Sequence, residues 1–398
     1  MSVYMNLYGT ECMIMSDKVY ILGGLRSYIG VENGMYKHLP AEKLGAEVLK
    51  KVMDKYNISK PDYIIGGNGV GAGGNITRLM MLEAGIPYEV PAYTVDMQCG
   101  SALETMAIAA AKIKSGQADI IIAGGFESSS TAPGRRYNKN HPDYEKMGGK
   151  DSWYNVAKFI PETHDELAML HGAEKTAIVQ NISREEMNPW VIRSHNLAKI
   201  ARDSGILDDI TVEAAGCGKR DEGIRDRMNQ KLLDRLPCVL KDGTRINAAN
   251  SCLTNDGASW IVMCSERYVQ QTGQKPVAQF LDAVSAGSDP SMSPLSVVYS
   301  IDKLLEKNRL DYMDIDIYEC NEAFAVIDVL FGRKYPKARY NYNIFGGALA
   351  YGHPYGASGA IITLHAIKAL EKTSGKYAVC SIAAAGGIGT AVLLEKCD

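Results

Sequence analysis

The segment VDMQCGSALETMAIAAAKIKSGQADIIIAGGFESS, from Val95 to Ser129, contains one complete helical pattern and one complete strand pattern. Apolar residues at helical spacing form one face of its first part, namely Leu103, Met106, Ala107, Ala110 and Ile113. After the turn SGQAD, the short apolar run Ile120–Ala123 is typical of a strand buried on both faces. The segment therefore predicts a helix over Ser101–Ser115 that leads into a buried strand.

The same alternation of short apolar runs and helical periods extends along the chain. Strands are predicted at Val19–Leu22, Tyr63–Ile65, Ile120–Ala123, Ile315–Tyr318 and Val392–Leu394. Helices are predicted at Ala41–Tyr56, Ser101–Ser115, Arg184–Ser204 and Gly359–Lys372. This order of elements predicts an α/β protein with a largely parallel or mixed sheet.

Two pairs of segments indicate that the chain contains a duplicated unit. AIAAAKIKSG at Ala107–Gly116 matches AIKALEKTSG at Ala366–Gly375 without a gap, and each leads to a strand that ends in small residues. KVMDKYNISKPD at Lys51–Asp62 matches KLLEKNRLDYMD at Lys303–Asp314 at a similar offset. Repeats in the same order predict two halves of similar structure.

The segment between the two copies carries more charge, together with several His and aromatic residues. We therefore expect an N-terminal half at residues 1–127 and 248–272, an inserted loop subdomain at 128–247 and a C-terminal half at 273–398. An insertion over the ends of the strands would lie where a lid could cover a substrate.

Composition and charge favour a globular protein with a small-molecule substrate. Of 398 residues, 43 are Lys or Arg and 46 are Asp or Glu, so the formal charge is -3 and nothing indicates a nucleic acid or membrane partner. No apolar stretch approaches the ~20 residues of a membrane span, and Met1–Lys18 lacks a signal-peptide pattern. The nine cysteines are scattered without CxxC pairs, so we expect no disulfides, no metal site and a cytoplasmic location.

One glycine-rich turn offers an alternative function. GVGAGG at Gly69–Gly74 fits GxGxxG and follows the strand Tyr63–Ile65, with Asp96 about twenty residues further on, as in a dinucleotide-binding unit. However, no clean helix joins this turn to an acidic strand, and glycine-rich turns also serve close packing. An NAD-dependent dehydrogenase is therefore the weaker alternative.

Three short segments carry residue types suited to covalent cysteine catalysis. Cys99 lies at the turn before a predicted helix, where the helix dipole and backbone N–H groups are expected to lower the pKa of its thiol. His353, in GGALAYGHPYGASGA, is held between glycine and proline, where its imidazole could deprotonate a thiol. Asn321, in ECNEAFA, follows a predicted strand, where its amide could orient a water molecule or a backbone group.

Over essentially its whole length, the sequence resembles the thiolase family of acetyl-CoA C-acyltransferases. The resemblance is carried by the blocks around Cys99, Asn321 and His353, and by AEKLGAEVL, GAGGNITRLMMLEAGIP, MLHGAE, ISREEMN, NDGAS and AAGGIGTAVLLE. It implies a duplicated α-β-α-β-α five-layer fold with an inserted loop subdomain. It also implies a coenzyme A thioester as substrate, no permanently bound cofactor, a homodimer or homotetramer, and a place in fatty acid metabolism.

The resemblance assigns roles to individual residues. It makes Cys99 the nucleophile that takes the acyl group and His353 the base that activates Cys99. His353, together with a water molecule held by Asn321, would then bind the thioester oxygen. The backbone N–H groups of Cys99 and Ala385 would bind the other oxyanion.

The resemblance also indicates the residues around the substrate. Phe324 and Met169 match positions that line the acyl pocket. Cys252, with Ser251 adjacent, stands where the family usually has a serine that contacts pantetheine. The segment PSMSPLSVV after Asp289 is shorter than is usual in the family, so the acyl-chain preference is open.

The chain departs from the family pattern at its last glycine-rich turn. Family members usually carry Cys-x-Gly-Gly-Gly-x-Gly there, and this cysteine moves the α-proton of the second substrate. Counting back from Gly389 puts Ala385 at the first glycine and Ala383 at the cysteine. Cys380 lies three residues earlier and would face the other side of the strand, so the usual acid/base thiol is missing.

The leading hypothesis is a thiolase-type acyltransferase that uses acetyl-CoA or a short acyl-CoA for Claisen condensation or for thiolysis of 3-ketoacyl-CoA. Because Ala383 replaces the second cysteine, one alternative is an acyltransferase or hydrolase that acylates Cys99 without a carbon-carbon step. A catalytically silent acyl-CoA-binding protein is a further alternative.

Overall fold

The structure is a computed structural model that describes residues 18–161 and 163–397. The stretch before Lys18 lies outside the described residues. The expectation about a signal peptide falls almost wholly on this stretch, which also contains Cys12.

The described residues form thirteen strands and eleven α-helices. The strands are β1 (Val19–Ser27), β2 (Gly30–Val31), β3 (Tyr63–Gly67), β4 (Ala92–Val95), β5 (Ile120–Ser128), β6 (Arg135–Arg136), β7 (Trp153–Tyr154), β8 (Thr211–Val212), β9 (Asn255–Ser265), β10 (Ala278–Gly287), β11 (Ile317–Cys320), β12 (Tyr377–Ala384) and β13 (Ile388–Lys396). The helices are α1 (Ala41–Lys55), α2 (Ile76–Glu83), α3 (Ser101–Lys114), α4 (Ala168–Val179), α5 (Arg184–Ser204), α6 (Gln230–Leu233), α7 (Glu266–Thr272), α8 (Ser296–Asn308), α9 (Ala325–Lys334), α10 (Ala348–Tyr351) and α11 (Ser358–Thr373).

Eleven of these strands form one mixed sheet, as the sequence predicts. The main order is β11-β12-β13-β10-β1-β9-β5-β3-β4, with β2 beside β9 and β8 beside β1. Parallel pairs join β3 to β4 and β5, β11 to β12, and β1 to β8. The pairs β5-β9, β9-β1, β1-β10, β10-β13 and β13-β12 are antiparallel. The start of β1 pairs with β10 and thereby connects the two halves of the sheet.

The helices lie in three layers around these two halves of the sheet. Helix α3 contacts β3 and β5 on one side and β10 and β13 on the other, and α11 contacts β11 and β12 as well as β5 and β9. Helices α1 and α2 cover the outer face of the first half, while α8 and α9 cover the outer face of the second. The layers are therefore α-β-α-β-α, which confirms the five-layer prediction.

Strand β5 shows why the buried strands read as continuous apolar runs. Successive side chains of a strand point to opposite faces of the sheet. On β5, Ile121 and Ala123 join the central core with α3, while Ile120 and Ile122 join the outer core with α1. Both faces are covered by helices, so every position of the run is apolar.

The repeated segments occupy equivalent places in the two halves. Ala107–Gly116 and Ala366–Gly375 contain the ends of the central helices α3 and α11, which lead into β5 and β12. Lys51–Asp62 and Lys303–Asp314 contain the ends of the outer helices α1 and α8, which precede β3 and β11. The duplication inferred from the sequence is thus present in the topology.

The predicted elements are all present, but several strand bounds differ: β1 and β5 extend five residues further than predicted, and β13 begins four residues earlier. Helix α5 spans the predicted Arg184–Ser204, because a Ser183 and Glu186 capping box begins it and Gly205, at φ 69°, ends it. Strand β11 begins at Ile317, two residues later than predicted, because a short turn capped by Asp311 precedes it. Within the described ranges, no helix is both long and apolar enough to cross a bilayer.

Candidate active site

A cavity of about 300 Å³ opens where the loops that carry Cys99, Cys252 and His353 meet residues from 155–159 and 166–170. Residues from 155–159 and 166–170 thus form part of the cavity wall. The cavity wall includes most of the site residues expected from the sequence: Cys99, Met169, Ser251, Cys252, Phe324, His353 and Ala385. Among the described residues, Asn321 and Ala383 are the expected site residues that lie outside this wall.

Cys99 lies at the turn before α3, as the sequence predicts. The residue before it, Gln98, has a left-handed backbone with φ 51°, a conformation that often occurs at functional sites. The side chain of Cys99 is only 7% exposed, and this burial raises the pKa of the thiol to about 12. The backbone N–H groups of Cys99 and Ala385 act in the opposite direction but do not offset the lost hydration.

The expectation that the thiol of Cys99 has a lowered pKa is therefore wrong for the free protein. A position before a helix favours a thiolate, but burial in a mostly apolar cavity favours the neutral thiol by a larger amount. The carboxylate of Glu127 raises the pKa of the Cys99 thiol further. To act as a nucleophile, the Cys99 thiol would therefore need a proton acceptor nearby.

His353 is held in one tautomer by its hydrogen bonds. Its Nδ1 lies 2.6 Å from Ser358 Oγ, and this hydroxyl lies 2.9 Å from the carbonyl oxygen of Pro354. A carbonyl can only accept, so Ser358 donates to Pro354 and accepts from Nδ1–H of His353. Nε2 of His353 then carries a lone pair, and it lies 3.2 Å from Nδ2 of Asn321.

The backbone around His353 is fixed by long-range contacts. The N–H of His353 donates to Oδ1 of Asn255 at 2.8 Å, and Nδ2 of Asn255 donates to the carbonyl of Gly30. Gly352 has φ 108°, and a Cβ at this position would lie 2.3 Å from Asn255 Nδ2, so only glycine fits. Burial lowers the pKa of His353 to about 3, and the imidazole is therefore neutral at ordinary pH.

Together, Cys99 and His353 form a neutral pair of thiol and imidazole at one cavity. The lone pair on Nε2 can accept a proton, and the buried thiol needs an acceptor to react. The N–H groups of Cys99 and Ala385 both influence the sulfur of Cys99, so they lie where negative charge on this sulfur would be stabilised. The arrangement can therefore perform nucleophilic substitution at a carbonyl carbon.

The residues expected around the substrate form one side of the cavity. The N–H of Cys252 donates to the carbonyl of Ala323 at 2.9 Å, and Ser251 pairs with Phe324 as an isolated bridge. Burial and the neighbouring Cys99 raise the pKa of the Cys252 thiol, so Cys252 is also neutral. Met169 reaches the cavity from the start of α4.

Neither Ala383 nor Cys380 places a thiol in the cavity. Ala383 is buried in the outer core with Phe324 and stands opposite Gly389 on β13. Cys380 belongs to the central core, and its Sγ lies 3.8 Å from the carbonyl of Ile362 on α11. The two residues thus face opposite sides of β12, as their odd spacing predicts.

The glycine-rich turn Gly69–Gly74 binds a side chain of its own protein. The N–H groups of Gly69 and Val70 donate to the buried carboxylate of Glu127 at 2.9 and 3.3 Å. These donors are the kind that would hold a phosphate in a dinucleotide site, and here Glu127 occupies them. Across the described part of the chain, no cluster of three or more His, Cys, Asp or Glu side chains could hold a metal ion.

Three residues of the site were missed by the sequence analysis. Ser358 lies in the block GGALAYGHPYGASGA, five positions after His353. Its hydroxyl is a possible hydrogen-bond partner for a nearby imidazole and could have been noticed in the sequence. Asn255 lies in the block NDGAS, but nothing local indicates that it contacts His353. Glu127 is the last residue but one of the buried strand β5, and a fully buried acid is itself unusual.

Comparisons with known proteins show the family of this chain. The protein-family model for the thiolase N-terminal domain matches residues 19–267 of this chain, and the family model for the thiolase C-terminal domain matches residues 274–396. "Putative acetyl-CoA C-acetyltransferase VraB" of Staphylococcus aureus strain MRSA252 is 35% identical over 386 residues, covering 96% of this chain and 100% of that protein.

Solved structures show the same similarity. The acetyl-CoA acetyltransferase of Bacillus anthracis has a TM-score of 0.87 at 28% identity, covering 96% of this chain and all of that chain. Human mitochondrial 3-ketoacyl-CoA thiolase in complex with CoA has a TM-score of 0.86 at 30% identity, covering 96% of this chain and 98% of that chain. The chain belongs to the thiolase family of acyltransferases.

Proposed function

We propose that this protein transfers an acyl group from acetyl-CoA or a short acyl-CoA to Cys99. The observation that carries the proposal is the unprotonated Nε2 of His353, which accepts from Nδ2 of Asn321, at the cavity that also holds the neutral thiol of Cys99. Relatives named acetyl-CoA acetyltransferase and a related thiolase bound to CoA support a coenzyme A thioester as the donor. No permanently bound cofactor is part of this proposal.

In the proposed first step, Sγ of Cys99 attacks the carbonyl carbon of the thioester while His353 Nε2 takes the thiol proton. The oxyanion would be stabilised by the imidazole and by a water molecule held by Asn321, or by the N–H groups of Cys99 and Ala385. The carbon-sulfur bond to coenzyme A then breaks. The leaving thiolate takes the proton from His353, so the products are acyl-Cys99 and free coenzyme A.

Phe324 and Met169 are proposed to line the acyl part of the pocket, and Ser251 and Cys252 to contact the pantetheine part. Their common position on the cavity wall supports this assignment. The proposal also includes the division into two halves and an inserted segment at 128–247, which is supported by the pairing of β9 with β1 and β5. A cytoplasmic homodimer or homotetramer acting in fatty acid metabolism completes the proposal.

Incubation with acetyl-CoA followed by intact-mass analysis tests the acyl transfer. We expect one acetyl adduct that maps to Cys99 and is absent from the Cys99→Ala variant. Binding of acetyl-CoA without any adduct would contradict the proposal and favour a silent acyl-CoA-binding protein. NAD-dependent oxidation without an adduct would favour a dehydrogenase.

A second candidate function follows from Ala383. Because neither Ala383 nor Cys380 brings a thiol to the cavity, the protein could acylate Cys99 and pass the acyl group to water or another acceptor. The test is the disappearance of acetoacetyl-CoA in the presence of coenzyme A. Acylation of Cys99 together with little thiolysis would favour this second function over complete thiolase chemistry.

A further inference from the structure

Glu127 is a fully buried carboxylate next to the proposed active site, and the proposed chemistry does not use it. Its Oε1 accepts from Nδ2 of Asn68 at 2.9 Å and from the N–H of Val70 at 3.3 Å. Its Oε2 accepts from the N–H of Gly69 at 2.9 Å and from the N–H of Gly356 at 3.0 Å. One side chain thus joins two segments that lie far apart in the sequence.

Both of these segments belong to the cavity. Gly69 and Val70 line it directly, and Gly356 follows the lining residue Tyr355 in the turn that carries His353. This turn packs directly on the backbone of β5, because a Cβ at Gly125 would lie only 2.0 Å from the carbonyl oxygen of Gly356. A displacement of Gly356 would therefore be transmitted to His353, three residues earlier.

We propose that ionised Glu127 is a positioning residue that holds the His353 turn against the Gly69 loop in the geometry needed for acyl transfer. This inference rests on the function proposed above. Each carboxylate oxygen of Glu127 accepts two hydrogen bonds, so neither oxygen has room for a proton. Protonation would put an O–H against an N–H donor and release at least one of the four bonds.

The carboxyl of Glu127 titrates close to neutrality. Burial raises its pKa to about 7, although the N–H groups of Gly69, Gly356 and Val70 lower it in part. The titratable groups that interact with it are Asp96 and Cys99, both in the turn before α3, and Tyr355 in the His353 turn. As the pH falls through 7, Glu127 takes up a proton and the positioning is lost.

Neither member of the proposed catalytic pair changes its protonation state in the same range. The pKa of Cys99 is about 12 and that of His353 about 3, so both groups are neutral from pH 6 to pH 8. An inflection near pH 7 in the rate of acylation that disappears in Glu127→Gln would therefore report on Glu127.

The test measures the rate of acetyl adduct formation on Cys99 between pH 6 and pH 8.5 by rapid mixing and intact-mass analysis. In the native protein we expect the rate to rise with pH, with a midpoint near 7. In Glu127→Gln, the NH2 group of the amide replaces an oxygen that accepts from two N–H donors. We therefore expect an acylation rate about 10- to 100-fold below that of the native protein at pH 8, and no inflection. Glu127→Asp keeps the charge and is expected to recover part of the rate and the inflection.

Glu174→Gln is a matched control. Glu174 is also buried and accepts hydrogen bonds from the N–H groups of Thr244, Arg245 and Ile246, none of which lines the cavity. We expect this variant to lose thermal stability but to keep the native acylation rate per folded molecule and the native pH profile.

The outcomes separate this inference from the proposed function. A native protein that forms an adduct at a rate level across pH 6–8 would overturn the inference while leaving the proposed function intact. The same conclusion would follow if Glu127→Gln acylated as fast as the native protein. No adduct at any pH in the native protein would overturn the proposed function and this inference with it. If Glu127→Gln fails to fold, the pH profile of the native protein and the acylation rate of Glu127→Asp still test the role of Glu127.

Discussion

Replacement of His353 by Asn tests whether this residue is the base for Cys99. The pKa of the Cys99 thiol is about 12, so at pH 7 forming the thiolate in advance would cost about 7 kcal/mol. If His353 accepts the thiol proton while the sulfur of Cys99 attacks, the thiolate does not have to form beforehand. We therefore expect His353→Asn, and likewise His353→Ala, to slow acylation by about 10²–10⁴-fold at pH 7.

The same reasoning predicts different pH dependences for the two proteins above pH 8. The imidazole of His353 is neutral throughout that range, so the native rate should be level. Without His353, the reaction depends on the small fraction of thiolate, which increases roughly tenfold for each pH unit below the pKa. His353→Asn should therefore recover activity steeply between pH 8 and pH 9.5.

The assay follows the acetyl adduct on Cys99 by intact mass under single-turnover conditions with excess acetyl-CoA. Cys99→Ala provides the background, and circular dichroism checks that His353→Asn retains the fold. An unchanged acylation rate at pH 7, or parallel pH profiles for the two proteins, would remove His353 from the role of base.

Three further substitutions probe the surroundings of this pair. Asn321→Ala should reduce acylation by an amount equivalent to about 3–4 kcal/mol, because one partner of the oxyanion site is lost, and a native rate in the same mass assay would contradict that role. Ser358→Ala removes the acceptor for Nδ1–H of His353 and should slow acylation roughly tenfold, because a buried donor is left unpaired. Ser358→Thr keeps a hydroxyl, so a slower acylation rate in Ser358→Thr than in Ser358→Ala would argue against a role for this hydrogen bond. Ala383→Cys should increase acetoacetyl-CoA thiolysis by at least roughly tenfold, measured as loss of acetoacetyl-CoA with coenzyme A present, and brisk turnover by the native protein would show that another group already moves the α-proton.

Local patterns in the sequence predicted the α/β class and the duplication, whereas the five-layer arrangement was expected only from the resemblance to the thiolase family. The apolar runs and helical periods predicted β5, α3, α5 and α11, because strands and helices that are buried on defined faces must carry apolar residues at their own period. The two repeated segments predicted the duplication for the same reason. The shift of β11 arose from a capped turn, which local periodicity does not describe.

The sequence by itself also determined which residue types are available for chemistry: a cysteine before a helix, a histidine in a rigid turn and no cysteine at position 383. Only the tertiary structure decided their chemical states. The pKa of Cys99 is raised rather than lowered because burial depends on elements that pack around it from the whole chain. The tautomer of His353 is set by hydrogen bonds that involve Ser358 and Pro354. The turn that carries His353 is bonded through Gly356 to Glu127, which lies 229 residues earlier in the sequence. Hydration and long-range hydrogen bonds are properties of packed atoms, and no local pattern of residues specifies them.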